Sequence, residues 1–471
     1  MKILKLFVFV GLSLLFLNSC QDDRDDNITN INELANQEDI KDYMWKAMNT
    51  FYVYKSDSPD LADDRFENTP EYRDFLSSIK LPTEFFNSLL ADQDRYSFLV
   101  SDFVTLEQNL DGISLDNGMA FGLIRFIGTN TVFGYVRYVI PGSPADSAGL
   151  ERGMIFNRID GIIFSPDTDF NPLLNPASYT LGLAELQGGD LVQLDQEVAL
   201  NKVQLTENPI HDQRVLDIEG LKIGYLMYNN FRTPFNTELN AVFANFASEG
   251  ISDLVLDLRY NSGGSIETAK DLSSMITGQF NDQVFAQQLF NANFEPRNLI
   301  FDNQINTGEA INNLNLSRVF ILTTGSSASA SELVINALNP YIDVVQIGDT
   351  TEGKFEGSAT LYDSEDYTRN NVSLEHTYAI QPLILKTANK DGFTDFFDGL
   401  DPDIELNESF SNLGILGDPN ETLLNRALQE IIPGFAPTSN ESKSIHSIEL
   451  LGEDDMSSPS FQRMYIEYKN K

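Results

Sequence analysis

The sequence predicts an α/β core of layered strands and helices, preceded by an N-terminal helical segment and an embedded β-rich domain. Three observations carry that prediction. Across residues 207–432, apolar runs of strand length alternate with segments of helical period, the pattern of strands and helices stacked in layers. Residues 39–112 place aromatic and apolar side chains at helical spacing. Residues 113–206 change to short apolar runs broken by glycines, which reads as β structure with tight turns.

In the first segment, Tyr43, Met44, Trp45, Ala47 and Met48 open an amphipathic stretch that continues to Tyr54. Residues 84–90 form a second helix candidate. Aromatics at this spacing predict a buried helix face rather than a stacking platform. In the second segment, Phe121-Gly122-Leu123-Ile124 begins a strand, residues 142–150 hold a turn and a short helix, and residues 152–161 return to strand. In the third, residues 221–228 form a strand. Residues 238–249 form a helix, with Gly250 placed to stop it.

Residues 254–259 have a buried-strand pattern. They run through Asn261-Ser262-Gly263-Gly264 into a helix marked by Ile266, Ala269, Leu272 and Ile276. Residues 318–322 repeat the plan: strand, a Ser/Ala cluster, then a helix that Pro340 ends. Residues 379–385 and 397–403 supply closing segments. Residues 433–471 are polar and predict a loose tail, with residues 461–468 able to pack somewhere.

Composition narrows the function classes. The chain has 471 residues, enough for several domains, and is 42% hydrophobic and 21% charged, ordinary for a folded protein. Against 31 basic residues stand 70 acidic ones, a formal net charge of −39. Nucleic acid is an unsuitable partner, because phosphate binding needs a basic footprint. The three histidines (His211, His376 and His446) and single cysteine form no zinc-type cluster, and no phosphate-binding Gly-Lys-Ser/Thr loop is present. No metal or cofactor is expected.

Two strand-to-helix turns carry chemistry. A tight small-residue turn exposes a serine at a helix N-terminus, where backbone N–H groups and the helix dipole favour developing negative charge. Ser329 sits in the middle of Ser327-Ala328-Ser329-Ala330-Ser331-Glu332, and Lys354 follows 25 residues later, after Gly353. A serine needs a base to act as nucleophile, and a lysine can be one when burial depresses its pKa. Alone, Ser329 would read as an ordinary helix cap and Lys354 as a surface lysine. The second turn, Gly263-Gly264, lets backbone N–H groups approach a ligand closely. Asp257 and Arg259 read as structural contacts at a strand end.

Taken together and in order, Asp257-Leu258-Arg259-Tyr260-Asn261-Ser262-Gly263-Gly264, Ser327–Glu332 and Gly353-Lys354 resemble the C-terminal-processing (tail-specific) serine peptidases, over residues 40–432. The resemblance implies an α/β catalytic core at 207–432, with Ser329 as nucleophile and Lys354 as general base. It implies that Gly264 and Ala330, with Gly263 as a neighbour, supply the oxyanion hole. Many members carry Gln four residues after the lysine, where this chain has Ser358, so Ser358 becomes the expected lysine-orienting residue. Residues 113–206 resemble the PDZ domain embedded in such peptidases, which binds a peptide as an added strand. Phe121, Gly122 and Leu123 would then receive a C-terminal carboxylate. The implied function is an endopeptidase that cuts polypeptide substrates near their C-terminal tails. The alternatives are a catalytically weak peptide-binding protein on the same scaffold, which Ser358 favours, and a nutrient-scavenging protease.

The N-terminus adds a location. Lys2 and Lys5 precede an apolar run at residues 6–17, too short to span a bilayer but suited to a signal peptide. Leu17-Asn18-Ser19-Cys20 resembles a bacterial lipobox. The expectation is a signal peptide at 1–19, lipid on Cys20, an acidic tether at 20–38 and a helical segment at 39–112. The lipid would hold the protein to the membrane of the bacterial cell envelope. The acidic run after Cys20 resembles export signals, which favours the outer membrane and its surface; a simple solvated tether is the plainer reading.

Overall fold

The computed structural model describes residues 36–410, 412–436, 448–454, 458 and 461–467. Cys20, the signal segment and most of the tether lie outside them. Among the described residues, no helix is long and apolar enough to cross a membrane.

A six-stranded sheet organises residues 210–432. Its strands lie side by side in chain order: β1 (Ile210–Ile218), β2 (Leu221–Tyr228), β3 (Asp253–Asp257), β4 (Arg318–Thr323), β5 (Asp343–Gly348) and β6 (Ile404–Glu405). β1 is antiparallel to β2, and all other pairs are parallel. Parallel strands need crossovers, and helices supply them: α1 (Asn236–Glu249), α2 (Ile266–Thr277) and α3 (Ala330–Leu338), followed near the chain's end by α4 (Thr422–Ile431).

Both faces of the sheet are buried, which explains the near-continuous apolar strands. Leu226, Tyr228, Leu254, Leu256, Val319 and Ile321 point into one core with α1, α2 and α3. Their strand neighbours Tyr225, Met227, Val255, Phe320 and Leu322 point the other way and pack on Leu423, Leu424, Ala427 and Leu428 of α4. α1 ends where expected, with Gly250 in the left-handed conformation at φ 69°.

The N-terminal segment contributes helices Gln37–Phe51, Thr69–Ser78, Pro82–Ser88 and Phe103–Leu110. Asn36, Asn68 and Asp102 cap three of them through their side chains. The aromatic face is buried, as predicted: Tyr43, Met44, Ala47 and Met48 join the main core. Tyr52 and Tyr54 anchor it further, through hydrogen bonds to Asp94 at 2.7 Å and Glu356 at 2.5 Å.

Residues 113–206 are β-rich, with an antiparallel sheet that includes Met119–Phe126, Val132–Val139, Ile155–Ile159, Ser178–Gln187 and Asp190–Asn201. The chain enters and leaves this unit through a paired ribbon, Ile113–Asp116 with Val203–Thr206, which closes it as an insertion. The C-terminal residues depart from the loose-tail expectation. Ile448–Glu453 adds to Met119–Phe126 as an edge strand, and Met464–Tyr465 enters a second six-stranded sheet beside the core. A polar sequence pairs there because the partner strands offer free backbone groups, which no local periodicity reports.

Arg259 fixes the C-terminal end of β3. Its buried guanidinium donates to Asp257 (2.8 and 2.9 Å), Glu421 (2.8 and 3.0 Å) and Glu408 (2.9 Å). Burial alone would raise the Glu408 pKa, but Arg152 and Arg259 hold it down at about 2. Removing a cation from such a cluster strands buried anions. Arg259→Met is therefore expected to destabilise the fold by about 3–5 kcal/mol, read as a lower urea midpoint at unchanged slope.

Candidate active site

Loops at the C-terminal ends of three neighbouring parallel strands, β3, β4 and β5, build the site. The turn after β4 is stitched to the turn after β3 by the hydroxyls around Ser329. Ser327 donates to the Leu258 carbonyl (2.8 Å) and Ser331 to the Asn261 carbonyl (2.9 Å). Thr324 donates to the Arg259 carbonyl, and the Ala328 N–H reaches Asn261 at 3.1 Å. These bonds hold Ser329 at φ 66°, the left-handed region that non-glycine residues avoid, at the head of α3.

Glu332, one turn into α3, ties that serine to the loop carrying Lys354. The buried carboxylate accepts from Ser329 N (2.6 Å), Thr351 Oγ1 (2.6 Å), Gly353 N (2.7 Å) and Lys354 N (2.9 Å). Burial pushes its pKa up to about 7, against those four hydrogen bonds, each of which favours the ionised form. Gly353 has φ 92°, and a Cβ there would lie 2.3 Å from the Phe397 carbonyl, so only glycine permits this approach. Glu332 was not among the expected site residues. Its position three residues after Ser329 is capping-box spacing, the signal that identifies it.

Lys354 and Ser329 are both fully buried, and among the described residues neither Ser329 Oγ nor Lys354 Nζ has a hydrogen-bond partner. Lys354 Nζ lies 4.9 Å from the centroid of the Tyr96 ring. Burial pushes the amine's pKa well below its ordinary value, and the Arg463 guanidinium adds to this. Glu356, Glu332 and Asp94 pull the other way. A buried amine without a partner is poised to be neutral, and so able to accept a proton.

The glycine turn faces Ser329. Gly264 has φ 132°, and a Cβ there would meet the Phe231 carbonyl at 2.3 Å. Its N–H donates to the Arg463 carbonyl at 2.6 Å. Ala330 is the first residue of α3 and buried beside Ser329.

Two sequence expectations are corrected. The Gly263 N–H donates to Asn261 Oδ1 at 2.9 Å, so it is committed within its own turn and is not offered to a ligand. Ser358 does not reach the lysine: its hydroxyl lies 3.2 Å from the Met464 carbonyl and 3.4 Å from Gln381 Oε1. The strand at Glu356–Ser358 turns this side chain toward neighbouring strands, and the Tyr96 ring lies beside the amine instead, with Glu356 in electrostatic range. Phe121, Gly122 and Leu123 lie on a strand of the β-rich unit whose outer side the chain's own residues 448–454 cover.

The unfolded chain keeps the Lys354 proton up to its ordinary pKa of 10.5, whereas the folded protein gives it up at lower pH. Between those values the unfolded state binds more protons, so this lysine costs stability at neutral pH and the cost fades as pH rises toward 10.5. Lys354→Met should therefore stabilise the protein at pH 7 by about 1–3 kcal/mol, the scale of an unpaired buried polar group. The gain should shrink as urea unfolding is repeated at increasing pH.

The site's surroundings match known proteins. The sequence profile of peptidase family S41 matches residues 222–406. A carboxyl-terminal-processing protease of Picosynechococcus is 27% identical over 220 residues, which are 46% of this chain and 49% of the relative. Carboxyl-terminal-processing peptidase 2 of Arabidopsis thaliana chloroplasts is 26% identical over 227 residues, 45% of this chain and 40% of the relative. The chain thus spans about half the length of the curated relatives it matches. A crystal structure from Bacteroides fragilis, assigned as an S41 protease, superposes with TM-score 0.65 at 26% identity, covering 83% of this chain and 96% of that one. The matched residues 222–406 contain the glycine turn, the serine turn, Lys354 and the strands β3 to β6, so the part of this chain that carries the site is similar to peptidase family S41.

Proposed function

We propose that this protein is a serine endopeptidase that cuts polypeptides near their C-terminal tails through a Ser329–Lys354 dyad. The observation that carries the reading is the pairing of a serine held at positive φ on a helix N-terminus with a buried, partnerless lysine of depressed pKa. One carboxylate, Glu332, holds both. Ser329 Oγ attacks the scissile carbonyl as Lys354 takes its proton. The N–H groups of Gly264 and Ala330 hold the oxyanion. Lys354 then returns the proton to the leaving amine, and water repeats the cycle on the acyl-enzyme. The Tyr96 ring stands beside the amine where Ser358 was expected, with the Glu356 charge in electrostatic range.

The β-rich unit, in this reading, is a PDZ-like reader of substrate tails. The addition of the chain's own strand to Met119–Phe126 supports it, since that edge accepts an extended peptide. The N-terminal sequence supports anchoring to the cell envelope by lipid on Cys20.

Ser329→Ala should lower kcat/KM on a peptide substrate by roughly a million-fold, as removal of a dyad member does, and Lys354→Arg by a similar factor, because guanidinium stays protonated. A serine-reactive phosphonate should label wild type at Ser329. A folded wild-type protein that binds peptide yet is neither labelled nor active would be a binding protein on this scaffold instead.

Cys20→Ala should release the mature chain from the membrane fraction of cells, because stable anchoring rests on the acyl chains. Equal membrane retention of wild type and variant, with the signal removed from both, refutes the lipid anchor.

A further inference from the structure

The described C-terminal residues occupy both halves of the site at once. Ile448–Glu453 runs antiparallel to Met119–Phe126, with Leu450 opposite Ile124, Gly452 opposite Leu123 and Glu453 opposite Gly122. The Asp454 carboxylate then accepts from the Phe121 N–H at 3.2 Å, placing an acidic group at the end of that strand. Glu453 is buried and bridges the two units. It accepts from Arg137 Nη1 at 2.5 Å and from Ser326 Oγ, in the turn that leads to Ser329, at 2.7 Å.

Further on, the chain enters the cleft. Met464–Tyr465 lies between Gly264–Ser265 and Glu356–Ser358, parallel to both, and Ile466 N donates to the Ser358 carbonyl at 3.0 Å. Met464 and Tyr465 are buried. The residue before them presents its carbonyl to the glycine turn: Arg463 O accepts the Gly264 N–H at 2.6 Å. A Cβ placed on Gly263 would lie 2.6 Å from that same oxygen and 2.6 Å from Ser329 Cβ, so carbonyl and nucleophile meet over Gly263. The Arg463 guanidinium sits 4.4 Å from the Phe98 ring, with Asp94 and Tyr96 in electrostatic range.

An extended segment paired on both sides, with one carbonyl on the oxyanion N–H and beside the serine, has the arrangement of a substrate. We propose that Arg463–Met464 is a scissile bond in cis: the protein trims its own C-terminus, and the pocket of Phe98, Tyr96 and Asp94 accepts arginine on the carbonyl side of the bond. This rests on the peptidase reading above. Ser329 Oγ bonds to the Arg463 carbonyl carbon, and the bond to Met464 nitrogen breaks. The serine proton passes through Lys354 to that nitrogen, which leaves as a free amine. Water then hydrolyses the Arg463 ester, regenerates the serine and leaves a new carboxyl terminus. The residues released are Met464–Lys471.

Intact-mass spectrometry of the purified full-length chain over time tests this, with casein cleavage measured in parallel. Wild type should lose residues 464–471 at a first-order rate independent of protein concentration, and Ser329→Ala should keep them. Arg463→Glu should slow the loss by roughly tenfold or more relative to its own rate of casein cleavage, the scale of one mismatched specificity contact, a ratio that cancels any effect of the charge on Lys354. An enzyme that cuts casein but retains residues 464–471, or trims elsewhere, overturns self-processing and leaves the peptidase reading intact. Trimming that speeds up with protein concentration overturns the cis assignment. Arg463→Glu trimmed at the wild-type rate relative to casein cleavage overturns the arginine pocket. A folded chain inert to casein, to its own tail and to the phosphonate overturns both readings together.

Discussion

The site depends on one buried carboxylate. Glu332 receives the backbone N–H groups of Ser329, Gly353 and Lys354 and the hydroxyl of Thr351, so a single side chain sets the distance between two loops that follow different strands. Such a group is costly to bury and stays only because its lone pairs are filled. Its geometry accounts for two unfavourable features nearby. It bonds to the N–H of Ser329, which holds positive φ, and to that of Lys354, whose amine lacks a partner.

The sheet explains why those loops can be tied at all. Parallel strands in chain order deliver successive C-terminal ends to one edge, where ligand sites of open α/β sheets lie. β3 leads to the glycine turn and β4 to the serine turn, and their strands are hydrogen-bonded neighbours. Arg259 then locks the β3 end to α4 and to Glu408, so the floor of the site is an ion cluster rather than an apolar plug. The sheet's two apolar faces leave the strand ends as the place where polar groups converge.

The tail adds to the contacts between the β-rich unit and the core, where Ala120 and Tyr138 already pack with Tyr225 and Met227 and Arg152 pairs with Glu408. Glu453 joins Arg137 of the β-rich unit to Ser326 of the serine turn, and Arg463 faces the glycine turn while its charge bears on Lys354. A segment lying along this path touches the strand Met119–Phe126, the glycine turn and the surroundings of Lys354 in one stretch.

The sequence alone determined the elements and the chemistry-bearing turns. Alternating apolar runs, Gly250 as a helix stop and the helical spacing of Ile266, Ala269, Leu272 and Ile276 are local properties, and local sterics and periodicity dictate them. The sequence singled out Ser329, Gly264 and Lys354 by the fixed spacing of their motifs, and the structure gathers them at the strand ends; Asp257 and Arg259 were legible because a strand end needs its charges paired. Tertiary structure alone decided the partners. Ser358 faces Met464 and Gln381 rather than the lysine, Gly263 is consumed by Asn261, and Phe121 meets Asp454 from 333 positions away. Hydrogen bonds across such separations depend on which strand edges and buried donors lie side by side after folding, and no periodicity in the sequence encodes that.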